Sequence, residues 1–426
     1  MKITHISTTD QAGGAARAAY RLHRGLLELG CESRMLVQRK VSNDPTVTQF
    51  SPPVDPGTRL RRSLLRRLLA KRRRALESLP KGATFMSDDR SEHGADILNQ
   101  LPGQDVLNLH WVAGCFDYRL FFRRVPSNLP IIWTLHDMNP FTGGCHYDGG
   151  CGKYLKACEA CPQLNSTHSN DFSSQSWHRK EDAFRNMSEQ CLYIVTPSNW
   201  LAHEVKKSSL LGKFPVSVIP NGLDTEAFQP RNKQFARQLF KIPEKAKVIL
   251  FLADAAEEKR KGLHVLLESL AGIESKNDFY LLGLGRGLEV RDLRIPYKNL
   301  GYIREDITLS LVYSAADIFV APSLQDNLPN TILEAIACGL PVVASSVGGC
   351  VDLVREGETG ILVKAGDYNQ LHNAMINLLE DAPLRGTMSK ACRQFAERQH
   401  SLKIQASSYQ ELYHNLTERG PSPGAK

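Results

Sequence analysis

The stretch from Asp317 to Ser345, "DIFVAPSLQDNLPNTILEAIACGLPVVAS", decides the fold. Its β-branched and aromatic start reads as a strand, Thr331–Cys338 as an amphipathic helix and "PVVAS" as the next strand. The loop Ser323–Leu328 then lies off the carboxyl end of a strand, where open α/β sheets bind ligands. Pro329 suits the first turn of the helix, where its missing N–H costs nothing. The helix start, from Asn327 and Leu328 to Asn330, offers backbone N–H groups and the positive end of a dipole, a setting for phosphate. Ile332, Leu333, Ala335 and Ile336 make the core stripe, yet Glu334 stands among them. It lies one turn beyond Asn330, and a carboxylate accepts two hydrogen bonds at once from a ribose diol. Asp326 is placed to hold a sugar hydroxyl. The plainer alternative leaves Asp326 a loop residue and Glu334 a solvated helix position.

The same alternation fills the chain. "KITHIS", "SRMLVQ", "DVLNLHW", "IIWTLHD", "CLYIVTPS" and "PVSVIPNG" read as strands, with a first helix from about Ala15 to Leu29. From about Lys247 the pattern restarts with "KVILFLAD" and "DFYLLGLG". A long helical tail is expected from about Asn369 to Leu416. Alternating strands and helices imply parallel sheets covered on both faces, and the restart implies two of them, joined near Asn221–Lys247. The expected organisation is α/β, with two Rossmann-like, doubly wound domains facing across a cleft. They span residues 1–218 and 219–395, and a helical tail, 396–426, packs back on the first domain.

At 426 residues the chain is too long for one average core, and two domains of roughly 200 residues are the natural expectation. The hydrophobic fraction of 42% and charged fraction of 23% are ordinary for a globular protein. "MKITHISTTD" lacks the apolar run of a signal peptide, and no run approaches a membrane span. A cytoplasmic protein is expected.

Other loops carry chemistry. Lys259, Arg260 and Lys261 precede Gly262 and a helix, just after the first strand of the second half. Basic side chains there can neutralise a diphosphate leaving group. Gly13 and Gly14 sit between the first strand and first helix, where glycine lets a ligand approach backbone N–H groups. A tight turn explains them equally well. His136 ends "IIWTLHD" and faces the expected cleft.

"AGGAARAAYRLHRGLLELG", "TPSNWL", "VIPNGLDTEAFQP", the Lys-Gly of "RKG", "APSLQDNLPNTILEAIACGLPVVAS", "GG" and "EGETGILV" follow one another in an order that resembles glycosyltransferase family 4. That family has the GT-B fold and transfers sugars from nucleotide donors with retention. "TLHDMNPFTGGCHY" with "GCGKY" and "ACEACPQL" resembles the capsule and exopolysaccharide (colanic-acid-type) transferases of bacteria. The resemblance implies that Glu334 binds the donor ribose, that Asp326 replaces the family's first Glu, and that Lys261 meets the diphosphate. The family arginine is absent from its usual place, at Ala256, and Arg260 substitutes for it. His136 matches the histidine near the anomeric centre, and Gly13 and Gly14 match the glycine loop; Asn327 and Leu328 complete the donor loop. No catalytic metal is implied. The expected partners are a nucleotide-diphosphate sugar and a lipid-linked or oligosaccharide acceptor. A paired-carboxylate glycoside hydrolase and a non-catalytic sugar-nucleotide binder are the competing classes.

Two features stand outside that reading. Cys145, Cys151, Cys158 and Cys161 fall within seventeen residues, beside His146, and end in Cys-x2-Cys. In a cytosolic protein this spacing points to a structural zinc site, with a reduced cluster as the alternative. "RLRRSLLRRLLAKRRR", Arg59–Arg74, holds nine bases and no acid, and without it the net charge of +8 falls to −1 (8 − 9). As a helix it lines Leu60, Leu64, Leu65, Leu68 and Leu69 along one stripe. That pattern fits peripheral binding to an anionic membrane at the cytoplasmic face rather than to nucleic acid, with packing on the first domain as the alternative.

Overall fold

A computed structural model describes residues 1–80, 82–255, 258–273, 278–288, 290 and 293–418. The chain divides into two compact units, Met1–Pro220 with the chain from Gln405, and Asn221–Ile404.

The first unit is built on β1 (Lys2–Thr9), β2 (Glu32–Arg39), β3 (Val47–Gln49), β4 (Val106–Leu109), β5 (Ile131–Thr134), β6 (Leu192–Thr196) and β7 (Val216–Val218). They form one sheet in the order β3-β2-β1-β4-β5-β6-β7, and every pairing is parallel. The second unit contains β8 (Lys247–Ala255), β9 (Phe279–Arg286), β10 (Tyr297–Asn299), β11 (Ile318–Ala321), β12 (Val342–Ser345) and β13 (Gly360–Val363). Its order is β10-β9-β8-β11-β12-β13, again all parallel. β4, β5, β11 and β12 are buried at every residue, as strands covered on both faces must be. In each sheet the order reverses beside the first strand, between β1 and β4 and between β8 and β11. Chains leave such a pair in opposite directions, which opens a crevice at the strands' carboxyl ends.

β3 and β10 escape a reading by pattern because three residues show no periodicity. The long C-terminal helix is three helices, Tyr368–Glu380, Ala382–Gln399 and Leu402–Glu418. Asp381 caps the second of them, with Pro383 in its first turn, so the backbone cannot run straight through. Pro329 is the cap of the helix Asn330–Ala337 rather than its first residue, a shift of one position.

The last helix joins the first unit through two buried tyrosines. Tyr409 and Tyr413 pack with Ile3, Leu22, Leu26, Val106 and Ile132. Their hydroxyls also meet strand residues: Asn108 donates to the Tyr413 oxygen at 2.7 Å, and Tyr409 pairs with Thr134 at 3.0 Å. Tyr413→Ala is expected to destabilise this unit by about 3–5 kcal/mol, as large-to-small changes of buried aromatics do. Tyr413→Phe should cost about 1–3 kcal/mol, because Asn108 loses its acceptor. Urea unfolding of the full chain checks both values, and an Ala variant as stable as wild type would contradict the docking.

Candidate functional site

The crevice between β8 and β11 holds a compact set of charges. β8 ends at Ala255, and Lys259–Lys261 form a single turn before Gly262. β11 ends at Ala321, and the loop that follows carries Ser323 and Asp326. Lys261 Nζ lies 2.6 Å from Asp326 Oδ2, and Arg260 Nη1 lies 3.2 Å from Oδ1. Ser323 Oγ also donates to Asp326 at 3.3 Å, and the Asn327 N–H donates at 3.0 Å. Lys261 and then Arg260 outweigh the burial that would raise the Asp326 pKa and hold it far below the usual carboxylate range. Asp326 is therefore ionised and occupied, which suits an anchor for two cations and excludes a proton acceptor at neutral pH.

The two cations differ. Arg260 is locked: its guanidinium donates to both Glu258 oxygens, at 3.1 and 3.0 Å, and to the Gln325 carbonyl at 2.9 Å. Lys261 is the more exposed, with 24% of its side chain accessible against 10% for Arg260. Two glycines make the arrangement sterically feasible. Gly262 has φ 73°, and a Cβ there would stand 1.9 Å from the Pro322 carbonyl oxygen. Gly348 has φ 52°, and its Cβ would stand 1.7 Å from the Asp326 carbonyl oxygen. No larger residue fits at either place. Ala256 lies outside the described residues.

Glu334 is buried, at 4% exposure, and not the solvated position that the plainer reading allows. Tyr313 Oη donates to it at 3.0 Å. One turn earlier, Asn330 accepts from Asn221 Nδ2 at 3.1 Å, and Asn327 and Leu328 are buried in the preceding loop. The helix Asn330–Ala337 thus begins beside the charged set, with Glu334 one turn in from Asn330.

In the first unit, Gly13 caps the first helix, which starts at Gly14. Three histidines stand side by side across β1, β4 and β5. His5 Nδ1 meets His110 Nε2 at 2.9 Å, and His110 Nδ1 meets His136 Nε2 at 3.1 Å. Each contact needs one N–H and one lone pair, so the three tautomers are coupled. His5 Nε2 is buried and meets no partner among the described residues, and an orphaned lone pair is cheaper than an orphaned N–H. That cost favours protons on His5 Nδ1 and His110 Nδ1, with His136 accepting at Nε2. Neighbouring Asp137 accepts from Trp111 Nε1 at 2.9 Å and pairs with His146 at 2.7 Å.

His146 is committed to Asp137 and, through Nε2, to Ser87, so it is turned away from the thiols. Cys145, Cys158 and Cys161 are buried, and burial raises each thiol's pKa, that of Cys158 to about 12. The Gly143 N–H donates to Cys158 Sγ at 3.1 Å. Among the described residues no group of three or more His, Cys, Asp or Glu is arranged to hold a metal ion.

Pattern reading gave no role to Glu258 or Tyr313 and none to Ser323 beyond its place in the loop: Glu258 and Ser323 act on close neighbours, Arg260 and Asp326, and Tyr313 reaches Glu334 from another helix. It also overlooked the link from His5 through His110 to His136. The signal was present in the histidines of "THIS", "NLHW" and "TLHD", but only the strand order makes them neighbours.

The histidines give the first unit a pH dependence. Burial lowers His136 and His23 to about 4 and holds His5 and His110 well below the usual value. Unfolded, all four take up protons below about 6.5. The unfolded chain then binds more protons, so stability is complete above that pH and is lost as pH falls towards 4. The urea midpoint is expected to drop between these limits, each histidine contributing up to about 1.4 kcal/mol per pH unit. Equal midpoints at the two ends of this window would contradict the neutral histidine row.

The comparisons with known proteins agree with this architecture. Residues 12–227 match the family described as Glycosyltransferase Family 4, and residues 246–381 match Glycosyl transferases group 1. The D-inositol 3-phosphate glycosyltransferase of Corynebacterium urealyticum is 30% identical over 61% of this chain and 67% of its own length. The phosphatidyl-myo-inositol mannosyltransferase of Mycobacterium leprae is 32% identical over 47% of this chain and 54% of its own. The chain thus spans about half to two thirds of these relatives. Among solved structures, the sucrose-phosphate synthase of Thermosynechococcus elongatus superposes with a TM-score of 0.67 at 21% identity, covering 98% of this chain and 100% of that one. HepE of Anabaena, in complex with UDP and glucose, gives 0.67 at 16% identity, covering 97% and 99%. These likenesses show the GT-B fold, and the chain belongs to glycosyltransferase family 4.

Proposed function

We propose that this protein moves a sugar, with retention at the anomeric carbon, from a nucleoside-diphosphate donor to a lipid-linked saccharide in cell-surface polysaccharide synthesis. The observation that carries the reading is the Lys261–Asp326 contact, a cation held ready at the switch point of the second sheet. In this reading Lys261 binds the donor diphosphate, and Arg260 keeps Asp326 and its loop in place. The start of the helix Asn330–Ala337, with the Asn327–Leu328 loop, adds the positive end of a dipole. Glu334 accepts from the ribose hydroxyls. From the first unit, neutral His136 and the Gly13–Gly14 turn are assigned to the substrate side of the reaction, as the family resemblance implies.

The reaction then follows from charge. The bond from the anomeric carbon to the diphosphate breaks, and Lys261 and the helix start stabilise the leaving anion. The acceptor hydroxyl forms its bond on the face that the diphosphate leaves, and its proton passes to a phosphate oxygen. This chemistry asks for no metal, since the cationic groups carry the charge that a metal would. The polysaccharide role draws support from the capsule-type motifs and from one relative, the capsular polysaccharide biosynthesis glycosyltransferase CapM of Staphylococcus aureus, 26% identical over 52% of this chain. A complex with UDP and glucose in HepE makes UDP-sugars the first donors to try.

Nucleotide release from a panel of nucleotide sugars, with saccharide acceptors present, tests the reading. One donor should stand out. Lys261→Ala is expected to lower kcat by about 10²–10³, the range for losing one preorganised charge-stabilising group. Glu334→Gln should raise the donor KM with a smaller change in kcat. A Lys261→Ala enzyme running near the wild-type rate at saturating donor would sink the diphosphate assignment.

A further inference from the structure

The basic segment forms the helix Pro56–Glu77, capped by Asp55, whose side chain accepts from the Thr58 N–H. The expected single leucine stripe is split. Leu69 is buried and Leu65 half-buried, so these two turn inward. Leu60, Leu64 and Leu68 turn outward with 64%, 51% and 72% exposure. The arginines on the inner flanks, not the leucines alone, hold the helix down. Arg61 pairs with Asp96 at 2.9 Å, Arg72 with Asp88 at 2.9 Å, and Arg73 with Glu92, which Arg66 also approaches at 3.4 Å. Arg62 donates to the Pro53 carbonyl at 3.0 Å.

What remains outside is a ridge of three leucines with Lys71 on the same line, one turn beyond Arg67 and one before Arg74. Arg59, Arg67, Lys71 and Arg74 are all exposed, and no acid lies between Asp55 and Glu77. A monomer that ties down five arginines and leaves three leucines in water has given its helix the wrong face for stability alone. We propose that this ridge docks on an anionic lipid bilayer, with Leu60, Leu64 and Leu68 at the acyl boundary and Arg67, Lys71 and Arg74 among the lipid phosphates.

Charge complementarity selects this occupant. A second copy would bring Arg67, Lys71 and Arg74 against their own kind. A nucleic acid would meet the bases but leave the leucines wet. The inference stands apart from the transfer reading, because lipid binding is measured without donor or acceptor.

Co-sedimentation of the full chain with phosphatidylcholine vesicles, with and without phosphatidylglycerol, tests it at low ionic strength. Wild type should sediment with the anionic vesicles and not with the neutral ones. Leu60→Ser, Leu64→Ser and Leu68→Ser together should weaken binding by on the order of a hundredfold, and Arg67→Gln, Lys71→Gln and Arg74→Gln together by a similar factor. All six side chains are exposed, so both triple variants should unfold at the wild-type temperature. The proposal is overturned if wild type ignores anionic vesicles, or if the folded leucine variant binds them as wild type does. It is also overturned if the leucines instead hold a dimer in the absence of lipid.

Discussion

The bond between Lys261 and Asp326 fixes the second unit's working end. A buried carboxylate is tolerated only when its charge is answered, and here an ammonium, a guanidinium, a hydroxyl and a backbone N–H answer it. Those partners come from the ends of β8 and β11, strands that are neighbours in the sheet but lie far apart in sequence. The Gly262 and Gly348 positions follow from the same constraint, since each brings backbone against one of the two loops. Removing Asp326 would leave two cations facing one another, so its role is inseparable from theirs.

The charges also divide the labour. Lys261, Arg260, Asp326 and Glu258 sum to zero, and the exposed Lys259 of the same turn brings the local charge to +1. Arg260 spends its donors on Glu258, Gln325 and Asp326, so of the two cations on Asp326 it is Lys261 whose side chain is the more accessible. The first unit uses a different device. Its histidine row holds no charge at neutral pH and transmits only the direction of hydrogen bonds, from the buried His5 to His136. One unit is thus arranged around fixed charge and the other around a row of neutral histidines, and each device lies along the central strands of its own sheet.

Local pattern made the alternating strands and helices legible, because buried parallel strands are continuous apolar runs and covering helices carry one stripe. It also placed Lys261, Asp326 and Glu334 on the right loops and the right helix. Pattern was silent where the answer depends on pairing. Three-residue edge strands such as β3 have no period to detect, and Asp381 with Pro383 interrupts a run that otherwise looks continuous. The helix Pro56–Glu77 is the clearest case. Its leucine spacing was visible, but which leucines face outward depends on Asp88, Glu92 and Asp96, which lie beyond its end in sequence and draw the arginines inward. The cysteine spacing was equally visible, and among the described residues the thiols form no group of three placed around one point.

The central claim is that Lys261 receives a diphosphate. Calorimetric titration of the wild-type chain with UDP and GDP, each beside its parent nucleoside, addresses it without any turnover. The expected result is that one diphosphate binds at least about tenfold more tightly than its nucleoside, as charge-assisted contacts to a phosphate require, and that Lys261→Met abolishes most of the difference. Equal affinities for nucleotide and nucleoside, or a preference that survives in Lys261→Met, would contradict the claim.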